Sequence, residues 1–274
     1  MEFFQTLEAI IQISDPYEKI ERFKAFYTRF RKGMFFINHD QRSIVFTEPS
    51  FKGHCKIVDP QEVPRRSRFG TVQGRAILLH AIAHIEYSAI DLALDAAYRF
   101  KNMPKQFYED WLEVADDECR HFVMIDALLN EIGYRYGDFP VHQGLFDAGS
   151  ASLTLIDRMA VVPRYLEANG LDANPKIIQK LQKFQDPFAI KMTQALDIIL
   201  TEEIGHVQKG DFWFRWACEK ENIEDIEKEY FHRVEKIYPG TVHSKTHINV
   251  EARRKAGFSC REIVLLARDN IGCG

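Results

Sequence analysis

Apolar residues recur at helical spacing along most of the chain, which predicts a helical protein. The patterns over 72–102 and 104–133 are long, and the connection between them is so short that their helices should be antiparallel neighbours. Asp186-Pro187 begins another long pattern, which runs to about Asn222. The other predicted helices cover 16–30, 153–168, a further piece after Asn174-Pro175, and one or two helices within 223–274.

Two stretches lack this helical pattern. Residues 32–74 carry short β-prone pieces and then a Pro/Arg-rich segment, which predicts a hairpin or an irregular strap leading into the core. The loop of about twenty residues at 134–152 is long for a compact domain, and we expect it to cover part of the structure. No low-complexity tract or linker divides the chain, so we predict one structural domain. It comprises an N-terminal helix and strap at 1–70, a four-helix core at 71–222 and a C-terminal helical extension at 223–274.

Three glutamates occupy the apolar faces of the long predicted helices. Glu86, Glu118 and Glu203 have mostly Ile, Leu, Ala and Phe three and four residues away, so a surface position does not fit them. A buried ionised carboxylate is costly unless another charge neutralises it. The adjoining cations, Arg120 and Lys209, point elsewhere on their helices. A bound metal ion is therefore the better explanation.

Two of these glutamates begin a Glu-x-x-His motif. Glu118 is followed by His121, and Glu203 by His206, so each pair lies on one face of its helix. Antiparallel packing should bring Glu86 level with Glu118, because each lies about as far from the short connection between their helices. The equivalent partner for Glu203 is Glu167. Asp157 is its rival for this role, but its spacing fits less well and its side chain is shorter.

One Glu and one Glu-x-x-His pair from each half is the pattern of ferritin-like carboxylate bundles that hold two metal ions. Four carboxylates balance two divalent cations, so burial of the acids is compensated by metal binding. We expect two metal ions, iron in the first place, with manganese or a mixed Mn/Fe pair using the same ligands. The predicted ligands are Glu118 and Glu203 as bridging carboxylates, Glu86 and Glu167 as terminal carboxylates, and His121 and His206 as nitrogen donors.

Several neighbours of these ligands are candidates for a supporting role. Asp117 and Glu202 adjoin the motifs but have no His three residues later, so we interpret them as solvent-facing or as hydrogen-bond partners of the ligands. His80 and His84 are interpreted in the same structural or supporting sense. Tyr87 and Tyr165 are interpreted first as packing residues, with hydrogen-bond donation or redox activity as the alternative. Cys119 is expected to be a small buried residue.

The segments HAIAHIEYSAIDLALDA, ADDECRHF, VPRYLEANGLD and TEEIGHVQKG resemble DUF455, a family of bacterial ferritin-like proteins, and the resemblance extends over about 60–258. Within the wider superfamily the chain is similar to the tRNA hydroxylase that modifies isopentenylated adenosine, and more distantly to rubrerythrins and ferritins. All six predicted ligand positions carry over. The resemblance implies an all-α, ferritin-like four-helix bundle with an N-terminal extension and extra C-terminal helices, but it supplies no substrate.

Composition limits the other classes. The net charge of −4 argues against a general nucleic-acid binder. The amino terminus lacks the pattern of a signal peptide, and no stretch approaches the roughly 18 consecutive apolar residues of a membrane span. The five scattered cysteines fit free thiols in a reducing cytoplasm. The basic runs could form an anionic-substrate mouth, although paired or solvated side chains are the ordinary interpretation. These runs are Arg65, Arg66 and Arg68, and Arg253, Arg254 and Lys255. The loop histidines His142, His243 and His247 lack the spacing of a second metal site.

The leading functional hypothesis is an oxidoreductase of the monooxygenase or hydroxylase type, in which a di-iron centre uses O₂ to oxidise an organic substrate. The expected partners are O₂, a small-molecule or modified-RNA substrate and an electron-donor protein, with no membrane; the sequence is also compatible with an oligomer. One alternative is a ferroxidase or iron-handling protein with no organic substrate. Another is a bundle in which the metal pair is structural.

Overall fold

The computed structural model describes residues 2–269 and 272, and over these residues the protein is all-α. The described residues contain no β-strand, only the isolated bridges Glu2 to Phe36, Ile57 to Val141 and Lys245 to Ala267. They form two compact units: unit 1 covers 1–147 and unit 2 covers 148–274. The predicted all-α class is confirmed. The single domain with three parts stays a prediction.

Unit 1 is built around a pair of long helices, α3 (Val72–Arg99) and α4 (Lys105–Glu131), which pack against each other. Two earlier helices, α1 (Phe3–Ile11) and α2 (Pro16–Arg31), pack on them: α1 contacts α3, and α2 contacts α4. The prediction for α2 is confirmed, whereas α1 was not predicted. Each start has a local cause, since Asp15 caps α2 at the Glu18 amide and Thr71 caps α3 at the Gly74 amide.

Helix α3 is long and apolar enough to cross a membrane by length and composition alone. Most of the apolar window is buried inside the protein, however, and a buried core helix passes the same test. Its predicted inward face is buried, including Leu79, Ile82, Ile90 and the carboxylate of Glu86. Helix α3 is thus the core helix of unit 1.

The strap takes the irregular one of its two predicted forms, whereas the long loop differs in detail from its prediction. The strap is irregular, with one 3₁₀ turn at Ser50–Gly53 and no hairpin among the described residues. The long loop contains a short helix, α5 (Gly144–Ala151), so it is not an open loop throughout. Before that helix, the loop is attached to the strap, because the Val141 amide donates to the Lys56 carbonyl at 2.9 Å and Val58 returns a bond to Val141.

Unit 2 is built around α8 (Pro187–Lys220), the longest helix of the chain. Its start matches the prediction, since Asp186 caps the Ala189 amide and Pro187 occupies the first turn. Helices α6 (Leu155–Val161) and α7 (Ala168–Leu181) pack on α8 together with the segment between them. The C-terminal part contains three helices, α9 (Ile226–Ile237), α10 (Val250–Lys255) and α11 (Cys260–Leu266), one more than predicted.

The predicted helix end at Asn169-Gly170 is wrong. Residues Val162–Glu167 form a π-helical segment, and α7 continues from Ala168 through both residues and through Pro175. Pro163 explains the wider turn, because a proline within an α-helix lacks an N–H donor and collides with the carbonyl four residues earlier. We call Val162–Glu167 the π segment. A Cβ added to Gly210 of α8 would lie 2.3 Å from the Pro163 ring, so Gly210 permits this close approach.

The cysteine prediction is confirmed in part. Cys55, Cys119 and Cys218 are buried free thiols, as expected for Cys119 in particular. Cys260 is disulfide-bonded, so the prediction of free thiols is wrong at this position. Cys273 lies outside the described residues.

Candidate metal centre

Unit 1 places three predicted ligands together in its core. Glu86 lies on α3, and Glu118 and His121 lie on α4; all three side chains are buried. One donor atom of each lies within 4.8 Å of the others. His121 Nδ1 is 3.2 Å from Glu86 Oε2 and 3.5 Å from Glu118 Oε2. The antiparallel packing predicted for these helices therefore brings the two carboxylates and the imidazole to one point.

The charge of His121 follows from this geometry. Burial alone would lower its pKa, because it disfavours the imidazolium form. The hydrogen bonds and charges of Glu118 and Glu86 outweigh burial and raise the pKa to about 11. In the metal-free protein at neutral pH, His121 is thus protonated and partly neutralises the two carboxylates.

Unit 2 carries the second set of predicted ligands. Glu203 and His206 lie on α8, both buried, with His206 Nδ1 3.7 Å from Glu203 Oε1. Glu167 is the last residue of the π segment and is half-buried. Asp157, its rival in the sequence, lies in α6, where it accepts from Thr154 and pairs with Arg233 at 3.1 Å. Asp157 is thus already part of an ion pair within unit 2.

Burial separates these motifs from a third copy of the same spacing. Glu229 and His232 on α9 are also three residues apart, with His232 Nδ1 3.7 Å from Glu229 Oε2, yet the His232 side chain is 69% exposed. The side chains of His121 and His206 are 0% and 1% exposed. Spacing alone therefore does not define a metal ligand, and position on the buried face of a core helix is the stronger criterion.

The donor set suits a metal of intermediate hardness. Carboxylate oxygens with imidazole nitrogens fit iron or manganese, whereas a site for a soft metal would use thiolates. The nearest thiol in sequence, Cys119, has its pKa raised by burial and so remains a neutral thiol. Two buried carboxylates that converge on one imidazole would gain from a bound divalent cation, which supplies the positive charge their burial requires. The residues of unit 1 therefore fit a metal ion.

The histidines that precede Glu86 hold the loop after α4. His84 Nδ1 lies 2.9 Å from the Tyr136 hydroxyl, and its Nε2 lies 2.9 Å from the His142 carbonyl oxygen. His80 Nε2 accepts from the amides of Gly137 and Phe139 at 2.9 and 3.4 Å. Burial lowers the pKa of both imidazoles to about 4, which keeps them neutral, as the acceptor role of His80 Nε2 requires.

The other candidate supporting residues have contacts of their own. The Tyr87 hydroxyl donates to the backbone carbonyl of Ser14 at 3.2 Å, so it joins α3 to the turn before α2. Asp117 pairs with Arg120 one turn later on α4, and Glu202 is half-buried. Tyr165 is half-buried, with its ring 5.2 Å from that of Tyr238.

Lys19 and Arg253 are among the buried cations that were missed or misinterpreted from the sequence. Lys19 is fully buried in unit 1, where it pairs with Asp91 and donates to Ser50 at 2.7 Å. Lys19 falls on the apolar face of α2, and this position in the sequence indicates burial. Arg253 is also fully buried and forms an ion pair with Asp172 at 2.7 Å, so it is not part of a surface basic run. Arg65, Arg66, Arg68, Arg254 and Lys255 are exposed.

Comparison with known proteins gives a family but no activity. Residues 12–264 match the family described as Protein of unknown function (DUF455). A protein of Haemophilus influenzae described as "Uncharacterized protein" is 36% identical over 276 residues, which cover 96% of this chain and 92% of that relative. No solved structure matches the chain.

Proposed function

The chain belongs to the DUF455 family, and we propose that it is a dinuclear metal protein of the ferritin-like type. Each unit supplies half of the ligand set in this proposal. The observation that supports it best is the convergence of two buried carboxylates and one buried imidazole in unit 1. The proposed ligands are Glu86, Glu118 and His121 from unit 1, and Glu167, Glu203 and His206 from unit 2.

The symmetry of the two ligand sets supports a pair of ions. Each unit has a Glu-x-x-His pair on the buried face of a long helix, together with one further glutamate on a preceding helical segment. Four carboxylates carry four negative charges, which two divalent cations neutralise.

We propose iron as the resident metal and an O₂-dependent oxidation of an organic substrate as the reaction. A pair of ferrous ions supplies two electrons for the reduction of O₂ when bound at such a site. The proposed ligands would hold the pair, with Glu118 and Glu203 as the proposed shared carboxylates, and His121 would ligate only after losing its proton. The hydrophobic surroundings of α3 and α4 exclude water from Glu118 and His121, which are fully buried. A modified RNA or a small molecule as substrate, an electron-donor protein and a cytoplasmic location stay predictions.

Metal content tests the site itself. The Glu118→Ala and His206→Ala variants should each lose metal when the purified proteins are compared by elemental analysis. His232→Ala is the matched control, because it removes an imidazole with the same spacing from a glutamate but on an exposed face. Metal content equal to that of the wild type in both ligand variants would refute the proposal.

Iron loading distinguishes an oxygenase from an iron-handling protein. Anaerobic addition of Fe(II) followed by O₂ should give two oxidised irons per chain and no mineral. Iron far in excess of two per chain would show storage and refute the oxygenase function. Comparison of metabolites and of tRNA nucleosides between a deletion strain and its parent would then identify the substrate class, with the Glu118→Ala strain as the control for loss of the centre alone.

A further inference from the structure

The π segment leaves one backbone carbonyl without its usual helical partner. The Ala168 amide donates to the Pro163 carbonyl five residues back, and the Arg164 carbonyl four residues back is not among its acceptors. In an α-helix the Ala168 amide would bond to that Arg164 carbonyl. The carbonyl therefore needs another donor, since a buried polar group without one is costly.

The missing donor comes from the C-terminal part of unit 2. Tyr230 on α9 is fully buried, and its hydroxyl donates to the Arg164 carbonyl at 3.1 Å. The same tyrosine ring lies under the Arg164 guanidinium, 4.3 Å from ring centroid to Cζ. Tyr230 thus contacts both the backbone and the side chain of one residue within the π segment.

The Arg164 side chain fixes the segment on a second side. Its Nε lies 2.9 Å from Asp211 Oδ1 on α8, and its Nη2 donates to Glu262 Oε1 on α11 at 2.7 Å. The guanidinium is also stacked against the rings of Phe214 and Phe258, each 4.8 Å away. Because a rigid planar cation with two buried acids tolerates little displacement, these contacts define one position for the segment.

A second buried arginine holds the residue that follows the π segment. Arg253 on α10 donates from Nη2 to the Ala168 carbonyl at 3.0 Å, and its Nε and Nη2 also bond to the Asp172 carboxylate. Its guanidinium lies 4.8 Å from the Phe258 ring, as does that of Arg164. Glu167 therefore lies between two anchored points, Arg164 and Ala168.

We infer that the C-terminal helices α9–α11 position Glu167, with Tyr230, Arg164 and Arg253 as the positioning residues. This role rests on the proposed function, in which Glu167 is a metal ligand. The widened turn at Pro163 changes the direction of the residues that follow it. The role of the C-terminal extension is then to hold that turn in a single geometry. Small displacements of a ligand lower metal affinity, because a bound metal tolerates only a small range of ligand positions.

Tyr230→Phe tests this role with the least disturbance, because it keeps the ring and removes only the hydroxyl. We expect Mn(II) binding, followed by electron paramagnetic resonance, to weaken by about threefold to tenfold, the effect of one hydrogen bond. In the Glu167→Ala background the same change should alter Mn(II) affinity less than twofold, because the ligand that it positions is already gone. Amide hydrogen exchange over 162–168 should be faster in metal-free Tyr230→Phe than in the wild type.

Tyr108→Phe is the matched control, since the buried Tyr108 hydroxyl of unit 1 also donates to a carbonyl, that of Phe100, at 3.1 Å. It should lose comparable thermal stability and leave both Mn(II) affinity and exchange over 162–168 unchanged. Wild-type Mn(II) affinity in Tyr230→Phe, or equal losses in the two backgrounds, would overturn the positioning role while the proposed function stands. If the wild type binds no Mn(II), both proposals are overturned.

Discussion

Metal binding should expel a proton from His121, and this predicts an unusual pH dependence. The Glu118 and Glu86 carboxylates raise the pKa of the buried imidazole to about 11 against the opposing effect of burial. A histidine must be neutral to ligate a metal. In the metal-free protein, the proton is retained until the pH rises through about 11. Metal and proton therefore compete for His121 over the whole accessible pH range.

The size of the effect follows from the pKa. At pH 7 a pKa of about 11 means that removing the proton costs about 5 kcal/mol, or roughly four orders of magnitude in apparent metal affinity. Affinity should rise about tenfold per pH unit between pH 7 and pH 9. Nearly all of the metal-free protein keeps the His121 proton over this range, while the concentration of the competing proton falls tenfold per unit. A histidine with an ordinary pKa would be neutral above pH 7 and would give a nearly flat profile.

Calorimetric titration with Mn(II) at pH 8, in two buffers of different ionisation enthalpy, measures the number of protons released. Wild-type protein should release about one proton more than His121→Asn. His232→Asn should match the wild type, because that imidazole is exposed and lies outside the proposed ligand set. Equal proton release by wild type and His121→Asn, or an affinity that does not change from pH 7 to pH 9, would refute the charge state assigned to His121.

Three further predictions concern the stability of the metal-free protein, measured by denaturant or thermal unfolding. Gly210→Ala should destabilise by about 1–3 kcal/mol because its Cβ would lie 2.3 Å from the Pro163 ring, whereas Gly205→Ala on the same helix, with no atom within 4 Å, should not. Arg253→Met should cost about 3 kcal/mol by leaving the Asp172 carboxylate without its buried guanidinium; a loss below about 1 kcal/mol would contradict this. Burial lowers the pKa of His80 to about 4. The neutral imidazole therefore contributes to the free energy of unfolding above the unfolded pKa, and about 3 kcal/mol of stability is lost as the pH falls from about 6.5 to 4. A pH-dependent loss equally large in His80→Gln would refute that assignment.

The local patterns of the chain were sufficient for most helices and for the pairs within each motif. A cap such as Asp186 before Pro187 and an apolar face such as that of α8 are encoded within a few residues, so the start of this helix is predictable. The same holds for Glu118 and His121, since three residues of helix place them on one face. The prediction that Glu86 and Glu118 lie at one level required only the short connection between α3 and α4.

Other features depended on contacts distant in sequence. Pro163 is a visible disturbance of the pattern, but whether it would end the helix or widen it was decided by Tyr230 and Arg253, which donate to the Arg164 and Ala168 carbonyls. The burial of Arg253, in a run of basic residues, depends in the same way on Asp172. The 3₁₀ turn in the strap has no periodic pattern from which to predict it.

The sequence by itself determined an all-α protein whose long helices carry carboxylates and histidines on apolar faces, because helical periodicity and capping are local properties. Only the tertiary structure showed that the same Glu-x-x-His spacing lies in the core at one place and at the surface at another. Glu118 with His121 and Glu229 with His232 have the same spacing, yet the first pair lies in the core of unit 1 and His232 lies at the surface. The physical reason is that burial, and with it the pKa of about 11 at His121, is created by side chains brought together from separate helices.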